Sequence, residues 1–228
     1  MKYTSVRKGL FLRRPNRFTA HILLDGQEET VHVKNTGRCR EILRENTPVL
    51  LETGTNPLRK TRYSLVGAYK GQMLINIDSQ SPNTVVYEAI KSGRLKEFHP
   101  PLLLRKEVGF GNSRFDIYLE TPSQKVFIEV KGVTLEENGI AMFPDAPTER
   151  GAKHLYELIK AVEAGYSSYV FFLVQLKGAK LFTPNSKTDP AFCEALRAAH
   201  KNGVGILAYD SIVTEDSILL GDPVEVVL

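Results

Sequence analysis

Two charged residues interrupt an apolar, strand-like run, and their spacing suggests chemistry. The run KVFIEVKGV, residues 125–133, is rich in Val and Ile, which favour a pleated sheet, yet it contains Glu129 and Lys131. Charges in such a run are costly unless they are paired or bind something. Residues two apart in a strand point to the same face, so we expect these two side chains to lie side by side.

A third charged residue lies in the preceding predicted strand, where Asp116 interrupts RFDIYLE. If the two strands form a hairpin, Asp116 and Glu129 converge at one end of the sheet. Two carboxylates repel each other unless a cation lies between them, and oxygen ligands suit magnesium or manganese. With Lys131 positioning or deprotonating a water molecule, the three residues could hydrolyse a phosphodiester. The alternative is an ordinary ion pair on the solvent face of a strand.

The elements around these residues predict a mixed α/β sheet flanked by helices over residues 81–228, after a polar break at 79–83. Hydrophobic periodicity predicts a long helix that Asp145 or Thr148 could cap and Gly165 could end. The predicted order is a helix (84–98, bent near Gly93), three strands (102–108, 114–120, 125–133), a shorter strand (140–143), the long helix (148–165), a buried strand (168–176), a helix (190–203) and a strand (204–210).

Residues 1–80 have a different hydrophobicity pattern, with short apolar or alternating runs separated by glycine-containing turns. Five such strands with one helical insert fit a small β-barrel, of which the OB-fold is a common nucleic-acid-binding version. The predicted strands are 18–24, 29–34, 48–54, 63–70 and 72–78, with a brief helix over 37–45.

The charge is distributed unevenly between these two parts. Residues 1–80 contain 14 Lys and Arg against 7 Asp and Glu, a net +7, whereas residues 81–228 contain 16 against 19, a net −3. A basic front part could bind a polyanion while the rear part holds an acidic site, although a basic surface also aids solubility. No apolar run is long enough for a membrane span, and the basic N-terminus lacks a signal-peptide core. With two distant cysteines, this predicts a cytoplasmic protein without membrane partners.

Five segments carry a resemblance to a known family: NTGR (35–38), NPLRKTRYSL (56–65), RFDIYL (114–119), IEVKGVTL (128–135) and FPDAPTERGAKHLYEL (143–158). The chain resembles the sugar fermentation stimulation protein A family, and its rear part resembles the PD-(D/E)xK nuclease superfamily. The resemblance implies an α/β (α+β mixed) chain with an N-terminal OB-like β-barrel (residues 1–80), a nuclease-like mixed sheet flanked by helices (81–228), and DNA binding.

The same resemblance implies roles for individual residues. Asp116 and Glu129 would bind Mg²⁺ or Mn²⁺, and Lys131 would serve the attacking water. Glu88 matches a position where many superfamily members add an acid, but a solvated helix glutamate is an equal alternative. Phe115 stands where the superfamily's name places proline, a position that varies.

Basic residues near predicted turns are the candidate phosphate contacts in the front part, and binding dominated by phosphates predicts little base readout. Tyr63 and Tyr69 could stack on bases, although packing within strands is the alternative. In the rear part, Lys153 and His154 could meet phosphate at the start of the long helix. The full set of candidate nucleic-acid contacts is Arg13, Arg14, Arg17, Arg38, Arg40, Arg59, Lys60, Arg62, Lys153 and His154.

Two functions remain as hypotheses from the sequence. The first is a metal-dependent nuclease acting on DNA, with RNA as an alternative substrate. The second is a non-catalytic DNA-binding regulator of sugar (maltose) metabolism that uses the nuclease-like part as a scaffold. Dimers are common in the nuclease superfamily, so a homodimer stays open.

Overall fold

The computed structural model describes residues 1–35, 37, 39–54, 56 and 58–228. The front part contains β1 (Val6–Arg13), β2 (Thr19–Leu24), β3 (Gln27–Val33), β4 (Pro48–Thr53), β5 (Tyr63–Lys70) and β6 (Met73–Asn76). The rear part contains α1 (Ser81–Lys91), β7 (Leu103–Phe110), β8 (Ser113–Glu120), β9 (Lys125–Val133), β10 (Leu135–Glu137), β11 (Ile140–Phe143), α2 (Glu149–Glu163), β12 (Ser167–Val174), β13 (Leu181–Pro184), α3 (Pro190–Lys201), β14 (Gly205–Val213), β15 (Ile218–Pro223) and β16 (Glu225–Val226). None of the described helices is long and apolar enough to cross a membrane.

The front strands close into a five-stranded barrel. β3, β2, β1, β4 and β5 are neighbours in that order, β5 pairs in parallel with β3 to close the ring, and β6 extends the sheet beyond β5. The alternation in β2 shows why: Ala20, Ile22 and Leu24 are buried inside, while the residues between them are partly exposed. The predicted barrel is confirmed, but its ring contains β1, which was not predicted as a strand, and β6, which was predicted to belong to it, lies outside the ring.

The rear part is built on a six-stranded mixed sheet in the order β15-β14-β12-β9-β8-β7. The central strands β9, β12 and β14 are parallel to one another, and the outer pairings are antiparallel. Helix α1 packs on one face and α2 on the other, and α2 also packs against α3. β12 is almost wholly buried, as its unbroken apolar sequence predicts. A mixed sheet flanked by helices is thus confirmed.

Two predicted helices, 84–98 and 37–45, differ in the structure because each contains a residue with a left-handed backbone conformation. The first helix ends at Lys91 instead of bending, because Gly93 has φ +73°, and only a short 3₁₀ turn follows at Lys96–Phe98. The described part of 37–45 forms turns instead of a helix. Cys39 has φ +46°, which no α-helix accommodates, so one isolated turn forms around the bond from Leu43 N to Cys39 O.

Helix α2, which faces the candidate site, begins and ends at the residues its sequence indicates. The Thr148 hydroxyl accepts a hydrogen bond from Gly151 N at 3.0 Å, so Thr148 and not Asp145 is the cap. Gly165 has φ +88°, which terminates the helix. The buried face of α2 includes Leu155 and Leu158, which fix the helix against the sheet.

A buried carboxylate joins the front and rear parts. Asp78 is fully buried, and its Oδ2 accepts a hydrogen bond from Lys34 Nζ at 2.8 Å. Gln175, at the end of β12, donates to the Asp78 carbonyl at 3.0 Å and to Asn76 Oδ1 at 2.8 Å. Asn76 in turn donates to the Tyr3 hydroxyl at 2.7 Å. Every polar group in this junction network therefore depends on a partner from a distant part of the chain.

A second link between the two parts is the ion pair of Lys70 with Glu136, whose Nζ–Oε2 distance is 2.8 Å. Lys70 Nζ also donates to the Glu136 carbonyl, and Gly139 N donates to Glu136 Oε1 at 2.6 Å. Burial raises the pKa of Glu136, but Lys70 and the Gly139 amide outweigh burial, and the pKa is lowered below its ordinary value of 4.5.

We expect Asp78→Ala to reduce the free energy of unfolding by about 3–5 kcal/mol, because it leaves the Lys34 ammonium in a partly buried place without its main partner. Urea unfolding followed by circular dichroism measures the change. Asp222→Ala removes an exposed carboxylate paired with Lys177 and serves as the matched control, with a midpoint close to the wild type. Equal midpoints for the two variants would contradict the role of Asp78.

We expect the stabilisation by Glu136 to depend on pH. Because its folded-state pKa is lowered, the unfolded chain binds the proton more readily, so the stabilisation is fully present above about pH 5 and is lost as the pH falls through the folded-state pKa. The measurement is the difference in unfolding free energy between the wild type and Glu136→Gln across this range. A difference that does not shrink in acid would refute the assignment.

Candidate functional site

Glu129 lies at the centre of the candidate site, on the face of β9 that looks towards α2. It is 3% exposed, and its Oε1 accepts a hydrogen bond from Lys131 Nζ at 2.6 Å. The same oxygen contacts His154 Nδ1 from α2. The two charged residues that interrupt the strand are therefore paired with each other, and a histidine from the facing helix completes the cluster.

The orientation of the His154 ring follows from its second contact. Arg150 Nε donates to His154 Nε2 at 3.3 Å, and an arginine nitrogen can only donate. His154 Nε2 is therefore the acceptor, so Nδ1 carries the hydrogen that points at Glu129. The ring also packs edge-on against Phe115, with a centroid distance of 6.4 Å. His154 thus holds Glu129 in place from one side while Lys131 holds it from the other.

Asp116 stands at the point where β8 and β9 separate. The β8–β9 ladder ends with Ile117 opposite Ile128, which makes Asp116 and Glu129 the next facing pair. In place of a backbone partner, Val130 N donates to Asp116 Oδ2 at 2.8 Å. The other oxygen of Asp116 accepts from Asn83 Nδ2 at 2.7 Å, and Asn83 lies in the first turn of α1.

The two carboxylates influence each other electrostatically. Burial is the largest cause and the negative charge of Glu129 the next, and together they raise the pKa of Asp116 to about 6. Burial also raises the pKa of Glu129, but the hydrogen bonds from His154 and Lys131 and the positive charge of Lys131 outweigh burial and lower it below the usual range. The site therefore contains one stably ionised carboxylate and one whose ionisation a nearby cation would favour.

The donor atoms of this pair fit a hard divalent cation. Glu129 Oε2 is buried and has no hydrogen-bond partner among the described residues, whereas Oε1 has two. A buried carboxylate oxygen without a partner is costly, and a cation shared with Asp116 would relieve that cost. Among the described residues, no cluster of three or more His, Cys, Asp or Glu side chains is arranged for a metal ion. Asp116 and Glu129 alone would thus supply the side-chain ligands.

The structure places Glu88 away from this cluster. Its side chain is 52% exposed and its Oε2 lies 2.6 Å from the amino group of Met1. The residue of α1 that contacts Asp116 is Asn83, which is five positions earlier and projects from a different side of the helix. The structure therefore favours the solvated alternative for Glu88.

Three of the basic residues proposed as phosphate contacts have protein partners instead. Arg13 forms a two-pronged ion pair with Glu28, and Arg59 donates to Ser64 Oγ at 2.7 Å. Arg14 donates to the carbonyls of Asn35, Gly37 and Arg17, so its guanidinium organises the adjoining loop. Arg38 lies outside the described residues.

The remaining basic candidates are exposed to solvent. Arg62 lies against the Tyr63 ring at 5.3 Å, and Tyr63 itself is 3% exposed, so it is packed and cannot stack on a base. Tyr69 is partly buried and its hydroxyl donates to Glu215. The exposed candidates are Arg17, Arg40, Lys60, Arg62 and Lys153.

Sequence reasoning missed three residues of interest. Asn83 could not be identified from the sequence, because a single asparagine in a helix belongs to no recognisable motif. His154 was assigned to phosphate and not to Glu129, although its position near the start of α2 was recognised. Phe18 is 54% exposed beside Arg17, and its place at the edge of a predicted strand could have marked it as a surface aromatic.

We expect Lys131→Met to destabilise the protein more than the double variant Lys131→Met, Glu129→Gln, since the single change leaves a buried carboxylate without its ammonium. The coupling energy in a double-mutant cycle, measured by urea unfolding, should be about 1–3 kcal/mol. The same cycle on the exposed pair Lys8 and Glu215 is the control and should show little coupling. Purely additive effects at Glu129 and Lys131 would refute the pairing.

Comparisons with known families cover both parts of the chain. A family model described as the SfsA N-terminal OB domain matches residues 12–77. A second, described as the sugar fermentation stimulation protein RE domain, matches residues 80–217.

Individual relatives match over nearly the whole length. The sugar fermentation stimulation protein homolog of Alkaliphilus oremlandii (strain OhILAs) is 56% identical over 99% of this chain and 98% of that protein. The homolog of Clostridium perfringens (strain SM101) is 55% identical, with both chains fully covered. The solved structure of Pyrococcus furiosus SfsA in complex with Ca²⁺ is 28% identical, with a TM-score of 0.92 over 100% of this chain and 98% of that one. The resemblance inferred from five sequence segments is confirmed.

Proposed function

The chain belongs to the sugar fermentation stimulation protein family, and we propose that it is a DNA-binding protein with a divalent-metal-dependent phosphodiesterase site. The observation that carries this proposal is the arrangement around Glu129. One of its oxygens is held by Lys131 and His154, the other is buried without a partner among the described residues, and its charge raises the pKa of the facing Asp116. A cation bound to this oxygen would offset the cost of burying it without a partner.

Asp116 and Glu129 would hold Mg²⁺ or Mn²⁺ through their carboxylate oxygens. The Ca²⁺ of the Pyrococcus furiosus relative, another hard cation with a preference for oxygen ligands, supports this assignment. When bound, such an ion supplies positive charge that stabilises the developing charge on the phosphate oxygens. It would also favour the ionised form of Asp116, whose pKa is raised by burial and by Glu129.

The other residues of the site position groups for the reaction. Lys131 projects from the same strand face as Glu129, so its ammonium can hold an attacking water or a phosphate oxygen next to the carboxylates. His154 and Asn83 fix the orientation of Glu129 and Asp116 by single hydrogen bonds from α2 and α1. Two strands and two helices thus hold the site rigidly.

DNA binding would use the front part, residues 1–80, with the nuclease-like part spanning 81–228. The net charge of +7 on residues 1–80 and the exposed arginines support contacts to phosphate with little base readout. Both described cysteines, Cys39 and Cys193, are buried and unpaired, which supports a role in the reducing cytoplasm.

We expect metal-dependent cleavage of labelled DNA by the purified protein with Mn²⁺ or Mg²⁺, and none with EDTA. Glu129→Gln, Asp116→Asn and Lys131→Met should each slow cleavage about 100-fold or more, because each removes a charged group that acts on the reacting phosphate. Glu137→Gln, which changes an exposed acid outside the cluster, is the matched control and should cleave normally.

Calorimetric titration with Mn²⁺ provides a second readout that does not depend on cleavage. Binding should be lost in Glu129→Gln and retained in Glu137→Gln. Binding of DNA without cleavage of any single-stranded, duplex or branched substrate would overturn the enzymatic proposal and favour the DNA-binding regulator instead.

A further inference from the structure

One cavity lies on the barrel, and a neighbouring cavity lies between the barrel and the rear sheet. The first has a volume of about 360 Å³ and is lined by Phe11, Asn16, Arg17, Gly37 and Arg40 among others. The second, of about 350 Å³, lies between the two parts of the chain. Arg17 and Gly37 line both cavities, so the two are neighbours, and we call them together the junction trough.

The inner end of the junction trough lies next to the candidate catalytic residues. Gly132, which lines the second cavity, directly follows Lys131 on β9. Thr148 also lines it and caps α2, the helix that carries His154. The trough therefore reaches the strand and the helix that carry the candidate site, although Glu129, Lys131 and His154 do not line it.

The outer end of the trough is suited to phosphate. Arg17 and Arg40 are exposed, and neither has a carboxylate partner within the part of the chain that the structure describes. The wall between them is held by Arg14, which donates to the carbonyls of Asn35 and Gly37. Uncompensated arginines on a fixed wall form a positive surface without the cost of breaking existing ion pairs.

The inner cavity contains one acidic side chain, Asp145, and its position limits its effect on a ligand. A Cβ atom added at Gly37 would overlap the Asp145 carboxylate, so this carboxylate lies against the barrel loop. The start of α2, whose backbone amides favour anions, lines the same cavity.

Phe18 adds a flat apolar surface next to Arg17, which lines the trough. Its side chain is 54% exposed, and the guanidinium carbon of Arg17 lies 5.9 Å from the centre of its ring. An exposed aromatic ring beside an unpaired arginine matches the combination by which proteins bind single strands, with bases stacked on the ring and phosphates on the cation.

We propose that the junction trough binds single-stranded DNA, with a base stacked on Phe18, phosphates at Arg17 and Arg40, and the strand continuing towards Glu129. This deepens the proposed function and rests on it. Each cavity has the size of a small-ligand pocket, so a flexible strand can enter with its bases turned apart, whereas a stiff duplex cannot enter without separating.

The absence of tryptophan from the sequence makes a direct test available. In Phe18→Trp, the only indole of the protein would stand at the proposed stacking position. We expect its fluorescence to be quenched when a 12-nucleotide single strand is added, and not when the same sequence is added as a blunt duplex. In the protein without added tryptophan, Phe18→Ala should weaken single-strand binding about 5- to 150-fold. The measurement is the fluorescence anisotropy of a labelled oligonucleotide.

Leu102→Trp is the matched fluorescent control. Leu102 is 69% exposed, and its amide bonds to Glu120, which faces Lys125 at the start of β9. The trough reaches Gly132, seven residues further along β9 and thus about 23 Å away. The fluorescence of this variant should not change with either form of DNA.

Charge reversal gives an independent measurement if Phe18→Trp does not fold. Arg17→Glu and Arg40→Glu should each weaken single-strand binding about tenfold and reduce its salt dependence, whereas Arg197→Glu, on the exposed side of α3, should not. Binding by anisotropy with no quenching and no effect of these reversals would overturn the trough proposal and leave the proposed function standing. If the blunt duplex bound in the trough as tightly as the single strand, the proposed selectivity for single strands would be overturned. No binding of any DNA would overturn the proposed function itself.

Discussion

The structure depends on one buried charge, the Asp78 carboxylate, at the meeting point of the barrel and the rear sheet. A carboxylate can be buried there only because Lys34 from the barrel neutralises it and backbone and side-chain donors surround it. Gln175 extends the same network to the end of β12. Because these contacts are directional, they set the angle between the two parts and hence the shape of the trough between them.

The candidate site also contains a buried carboxylate, but there one of its oxygens has no hydrogen-bond partner among the described residues. At Asp78 the carboxylate oxygens and the carbonyl all have partners. At Glu129 one oxygen has two donors, and the other has none within the part of the chain that the structure describes. The first arrangement stabilises the fold, whereas in the proposed function the second keeps an atom available for a cation at some cost in stability. Rigid support from His154 and Lys131 is what allows that atom to remain buried and correctly oriented.

The sequence predicted the elements whose pattern is repeated along the chain and missed the contacts that single residues make. The alternation in β2, the apolar run of β12 and the periodicity of α2 each sufficed to predict the barrel, the buried strand and the long helix. Strand β1 was missed because its outward residues are mostly basic and its burial pattern is irregular. The partner of Asp116 could not be predicted, since Asn83 reaches it only through the packing of α1 on the sheet. The turn at Cys39 depends on a left-handed backbone that cysteine rarely adopts.

The junction network also determines when, during synthesis, the barrel can dock on the rear sheet. Tyr3, Asn76 and Asp78 leave the ribosome long before Gln175, which donates hydrogen bonds to the last two. Until β12 has been made, Asn76 Oδ1 and the Asp78 carbonyl lack the Gln175 amide, and the junction network that orients the barrel is incomplete. The positive front part is therefore synthesised first and docks late. The junction trough is complete only when more than three quarters of the chain has been synthesised.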